Sequence, residues 1–138
     1  MRPTTPTILV VSDARVDAGK TTFSVGLLDR LAASGTAPVG FKPRAGNDYW
    51  FDHDAVLAAV DDGRLYGTDV RRLADAVSRR ADGFDVPSLE RLNPVHRLWR
   101  PTPGRSGVLG ESDRTALVDR VSVGGETTFL VNGAAEEA

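Results

Sequence analysis

Cysteine is absent from this chain of 138 residues, which excludes disulfide frameworks, thiolate nucleophiles and cysteine-ligated metals. Histidine occurs only at His53 and His96, too sparse for a histidine-rich metal site. No apolar run approaches the length of a membrane span, and the opening MRPTTPT has no basic stretch followed by a long apolar one. No membrane contact is expected, and the cytoplasm is the expected compartment. Lysine is nearly missing: Lys20 and Lys42 stand against 15 arginines. The net charge is only −2 and the basic residues are scattered, which argues against nucleic acid as a partner. There is no internal repeat. The length, with 41% hydrophobic and 26% charged residues, fits one globular domain spanning 1–138.

What is present concentrates near the start, in ILVVSDARVDAGKTTF at 8–23. Ile8 to Val11 is a short apolar run, the pattern of a buried parallel strand. A polar loop leads to Gly19-Lys20-Thr21-Thr22, and then Phe23, Leu27, Leu28 and Leu31 recur at the spacing of one helical face. Strand, loop, Gly-Lys-Thr and helix form a phosphate cradle, in which loop amides and the open helix N-terminus face a polyphosphate. Lys20 would reach the β/γ oxygens and Thr21 would ligate Mg²⁺. The candidate nucleotide-binding residues are Arg15, Val16, Asp17, Ala18, Gly19, Lys20, Thr21 and Thr22. The early loop glycine of the standard pattern is replaced by Ala14, and a plain turn before a helix is the ordinary reading of the same string.

Along the chain, the first helix is predicted over about Lys20 to Ser34, stopping at Gly35. APVGF at 37–41 reads as a second strand of a β-α-β unit, which makes the sheet parallel. Lys42 would then emerge beyond a strand's carboxyl end, on the edge that carries the phosphate loop; its ordinary alternative is a solvated loop lysine. Asp52 and Asp54 precede AVLAAV, where a carboxylate either caps the helix or faces Mg²⁺. A helix is predicted over Asp69 to Arg80, with Val70, Leu73, Ala74 and Val77 on one face, and another over Ser112 to Arg120. Leu89 to Arg100 mixes apolar and basic residues around Asn93-Pro94, Val121 to Val123 is ambiguous, and TTFLV at 127–131 reads as a buried strand.

In that order these segments resemble the dethiobiotin synthetase-like P-loop ATPases, relatives of the cobyrinic acid amide synthases and the ParA/MinD-type proteins. VVSDARVDAGKTTFSVGLL is similar to the family's phosphate loop and first helix, and VGFKPRAG to its Lys-Pro second strand. HDAVLAAV resembles the segment with a metal-binding Asp, matched by Asp54; LNPVHRLWRPTPG resembles an Asn-Pro segment before the substrate loop. TFLVNGAA is similar to a strand end that carries a metal-binding Glu, here Asn132. The ParA/MinD signature lysine is Arg15. The resemblance implies an α/β, three-layer P-loop NTPase-type fold with a mostly parallel sheet, incomplete relative to the family because the further strands and the nucleobase site have no counterpart. It also implies ATP and Mg²⁺ as cofactors, Lys20 and Lys42 as catalytic residues, and Thr21 and Asp54 as metal ligands. The expected reaction is phosphoryl transfer from ATP to a small carboxylate, to a carbamate or to water. A homodimer, with loops completing the partner's site, is implied too. The competing expectation is a catalytically impaired nucleotide-binding regulatory or interaction module; a third is an α/β domain without a ligand.

Overall fold

The computed structural model describes residues 5–11, 19–79, 85–101 and 114–135. Helix α1, Lys20–Ala33, starts behind Gly19, whose φ of 72° is one that glycine adopts without a Cβ clash. Strand β1, Arg44–Asp48, is followed by helices α2 (His53–Asp61), α3 (Thr68–Ser78) and α4 (Leu89–Leu92). Strands β2 (Val95–Pro101), β3 (Arg114–Val123) and β4 (Glu126–Val131) follow, with a 3-10 turn at Gly133–Ala135.

The strands lie in the order β1-β2-β3-β4. Among the described residues only β1 and β2 run parallel, with Ala45 opposite His96 and Asn47 opposite Leu98. The other two pairs are antiparallel. Gly124 and Gly125 join β3 to β4 with φ of 62° and 90°, a two-residue hairpin loop whose central residues both need the left-handed region.

The small mixed sheet, with four helices among the described residues, overturns the expectation of a mostly parallel, three-layer P-loop fold. Hairpin pairing takes the place of crossovers after β2. Ile8 to Val11 is not in the sheet: the segment is coil, with Ile8, Leu9 and Val11 63%, 82% and 73% exposed. Ala37 to Phe41 is not a strand either. Gly40 passes so close to the helices that a Cβ there would lie 2.8 Å from Leu28 Cδ1 and 3.0 Å from Leu73 Cβ. The segment therefore covers the α1–α3 seam, and strand pairing begins only at Arg44. The helix expected up to Arg120 is strand β3, where Thr115, Val118, Val121 and Val123 suit a pleated surface. TTFLV is a strand as expected, but an exposed edge one.

Helices α3 and α4 lie against one face of the sheet, with α1 packed on α3. Helix α1 packs on α3 through Leu28, Leu73, Ala76 and Val77, with Val25 and Val86 at the margin. Helix α3 meets α4 and β1 through Val70, Ala74 and Leu92 against Ala45 and Leu89. Burying one of these leucines contributes roughly 2 kcal/mol. Side chains alternate along β3, so Arg120 reaches toward the helices while Asp119 pairs with Arg97 on the opposite face. There Arg97 stacks 5.2 Å from the Trp99 ring centroid. Gly46 makes room for that indole, since a Cβ at 46 would sit 2.8 Å from Trp99 Nε1.

Candidate functional site

The packing of α1 on α3 brings their amino-terminal turns together. Thr21, in the first turn of α1, lies within reach of the carboxylate of Asp69, in the first turn of α3, and helps to hold its pKa down. The ammonium of Lys42, from the chain leading into β1, donates to Oδ2 of the same carboxylate. Three residues remote in sequence thus meet at one point, under two helix amino ends whose unpaired N–H groups favour negative charge. The Lys42 and Asp69 side chains are 34% and 37% exposed, so the cluster is open to solvent. Burial alone would raise Asp69, but hydrogen bonds from Lys42 and Thr21 and the charges of Lys42 and Arg72 outweigh it. The carboxyl is held below its usual range and ionised at neutral pH.

A buried polar floor fixes this cluster from below. The Lys42 amide donates to Leu92 O at 2.8 Å, and its carbonyl accepts from Asn93 Nδ2 at 3.0 Å. Asn93 is fully buried and also donates to Val95 O at 2.8 Å. Its carbonyl accepts from Arg120 Nη2 at 2.7 Å, while Arg120 Nε donates to Leu65 O and Nη1 to Ser122 Oγ at 2.6 Å. Burial lowers the Arg120 pKa, partly countered by the charge of Glu90. His96 is 0% exposed, and neither ring nitrogen has a hydrogen-bond partner among the described residues. Burial first, then the charges of Arg120 and Lys42, push its pKa down to about 4 against the opposing pull of Asp119. Gly67 adjoins both His96 and Asn47: a Cβ there would lie 3.3 Å from His96 Cε1 and 3.4 Å from Asn47 Oδ1. Since Gly67 is the N-cap of α3, the floor positions Asp69 as well as Lys42.

The predicted site residues divide accordingly. Arg15, Val16, Asp17 and Ala18 lie outside the described residues. Gly19 caps α1, Lys20 is its first residue and half-buried, and Thr22 is exposed. Thr21 and Lys42 come together, although Lys42 enters at the amino end of β1 rather than beyond a strand's carboxyl end. Asp54 is exposed in the first turn of α2, and the carboxylate that meets Thr21 is Asp69 instead. Asn132 sits past the carboxyl end of β4, three strand spacings or about 14 Å across the sheet from β1. Both ends of its amide are engaged locally, Nδ2 donating to Ala116 O at 2.8 Å and Oδ1 accepting from Ala134 N at 3.2 Å.

Sequence reading missed Asp69, His96 and Arg120 as parts of one assembly. An acid in a first helical turn has an ordinary electrostatic reason to be there. Nothing local in the sequence links it to a lysine 27 residues away. Among the described residues no three His, Asp or Glu side chains gather as a metal cage. Thr21 with Asp69 nevertheless suits Mg²⁺, which takes one or two protein oxygens and completes its shell with water and substrate phosphate. Set against known proteins, the chain matches no family profile, no curated protein and no solved structure.

Proposed function

We propose that the chain is a Mg-ATP-binding domain whose site lies at the joined amino ends of α1 and α3. The observation that carries the reading is the convergence of the Thr21 hydroxyl and the Lys42 ammonium on the Asp69 carboxylate. Loaded with nucleotide, Lys42 and Lys20 would turn to phosphate oxygens, and Thr21 and Asp69 would hold Mg²⁺ directly or through water. Mg²⁺ supplies charge neutralisation on the phosphates. The helix amino ends stabilise anionic oxygens, and the floor of Asn93 and Arg120 keeps Lys42 from drifting as it changes partner. The proposed reaction is transfer of the γ-phosphoryl group to a small carboxylate or carbamate, or to water, in the cytoplasm.

A second reading, a nucleotide-binding module without turnover, draws on Asn132. Its amide is committed to Ala116 and Ala134, and it stands at the far edge of the sheet, so it adds no metal ligand beside Asp69. Calorimetric titration with ATP, with and without Mg²⁺, tests the common claim on wild type, Lys20→Ala, Lys42→Ala and Thr21→Ala. Each variant should weaken binding by at least about tenfold, the scale of one lost charge-assisted contact. Absence of ATP affinity in the wild type would end the proposal. Phosphate release above that of Lys20→Ala separates the two readings.

A further inference from the structure

The middle of helix α2, Ala55 to Val60, is an unbroken apolar run. It buries Val56 and Ala59, yet leaves Leu57 46% and Val60 60% exposed, one turn apart on its outer face. Just ahead of it Trp50 and Phe51 are 71% and 80% exposed. These two aromatics are not on a slack loop. Asp48 Oδ1 accepts from the Trp50 and Phe51 amides at 3.0 and 3.3 Å, and Asp52 Oδ2 accepts from the Asp48 amide at 2.9 Å. Tyr49 lies edge-on to the His53 ring at 5.3 Å, which closes the turn onto the helix. A surface held out in this way loses little conformational freedom when it is covered.

Carboxylates flank the strip at both ends, while Arg114 lies beside Asp48 and Arg71 beside Tyr66. Asp52 and Asp54 stand at its head, and Asp61 and Asp62 at its tail. All four are exposed, and neither Asp54 nor Asp61 has a cationic partner among the described residues. The tail pair is costly where it is, because carboxylates at a helix carboxyl end oppose the macrodipole and no basic residue occupies that last turn. We propose that this outer face of α2, with Trp50 and Phe51, is a docking surface for a basic amphipathic helix. The apolar anchors of the partner would lie on Trp50, Phe51, Leu57 and Val60. Its Lys and Arg side chains would reach the two acidic ends, about 14 Å apart at 1.5 Å per residue. A second copy of the chain would bring acid against acid, and an anionic bilayer would be repelled by the same four carboxylates.

The test is calorimetric titration of the whole chain with two amphipathic helical peptides of equal length, one built of Leu and Lys and the other of Leu and Glu. The Lys peptide should bind at least about tenfold more tightly, and added salt should weaken it. Leu57→Ser/Val60→Ser and, separately, Asp54→Asn/Asp61→Asn should each lower its affinity by about tenfold; all four positions are exposed, so circular dichroism should be unchanged. Equal binding of the two peptides, or no binding of either, overturns the proposal. So does affinity indifferent to both double variants. Burial of the Trp50 surface by self-association, or on anionic vesicles, seen as a blue shift of fluorescence without peptide, overturns it as well.

Discussion

His96 makes stability depend on pH between its ordinary and its native pKa. Its folded pKa of about 4 lies below the ordinary 6.5, so the unfolded chain takes up a proton that the native chain refuses. Stability from this group is complete above pH 6.5, falls as pH drops from there, and is fully lost below the native value. At 1.36 kcal/mol per pK unit the whole effect is about 3 kcal/mol, of which about 2 kcal/mol is gone at pH 5. Asp69 and Asp119, both held below the usual range, contribute stability that is lost only as pH falls through their own lower values, outside this window. Urea melts at about pH 7.5 and about pH 5 on wild type and His96→Gln measure it. Wild type should lose about 2 kcal/mol between the two and the variant less than about 0.5 kcal/mol, whatever its stability at the higher pH. A wild-type midpoint that does not move, or a variant that loses as much as wild type, would refute a neutral His96 in this setting.

Arg120→Met should destabilise by about 3 kcal/mol, because it strips donors from the carbonyls of Leu65 and Asn93 in a buried place; urea midpoints check it, and Arg120→Lys should recover part. Gly46→Ala should cost about 1–3 kcal/mol and alter the near-ultraviolet circular dichroism by displacing Trp99. Gly26→Ala, in α1 with open space around it, should instead stabilise by up to about 1 kcal/mol. Asp69→Asn should abolish the Mg²⁺ dependence of ATP binding while raising metal-free affinity, since Lys42 is released to phosphate; Asp54→Asn should alter neither, as calorimetry in EDTA and in Mg²⁺ will show.

The helices were largely legible. The amphipathic run from Val70 to Val77 placed α3 within two residues at its carboxyl end, Arg80 against Ser78, and Gly35 marked the close of α1. The strands were not. Ile8 to Val11 has the composition of a buried strand, but composition carries no partner, and the sheet is assembled without that segment. Val95–Pro101, with Arg97 and Arg100 among its apolar residues, disguises a central strand, because the charge of Arg97 is satisfied across the sheet by Asp119. The Gly124-Gly125 pair was a readable hairpin signal that β-branched Val121 and Val123 should have strengthened. Of the proposed site, the sequence singles out Thr21 and Lys42, the latter by a strand-end argument that the fold does not follow, and it does not single out Asp69. Its role depends on α1 lying against α3, a matter of tertiary packing rather than of any local pattern.

The open side of β4 bears on how this protein behaves when crowded. All six of its residues are exposed, Phe129, Leu130 and Val131 among them, and Glu126 is the one charge on the strand. With no lysine, proline or bulge to blunt it, an edge whose amides and carbonyls meet no second strand among the described residues invites strands from other molecules. Solutions of the pure chain would then be limited less by unfolding than by edge-to-edge growth.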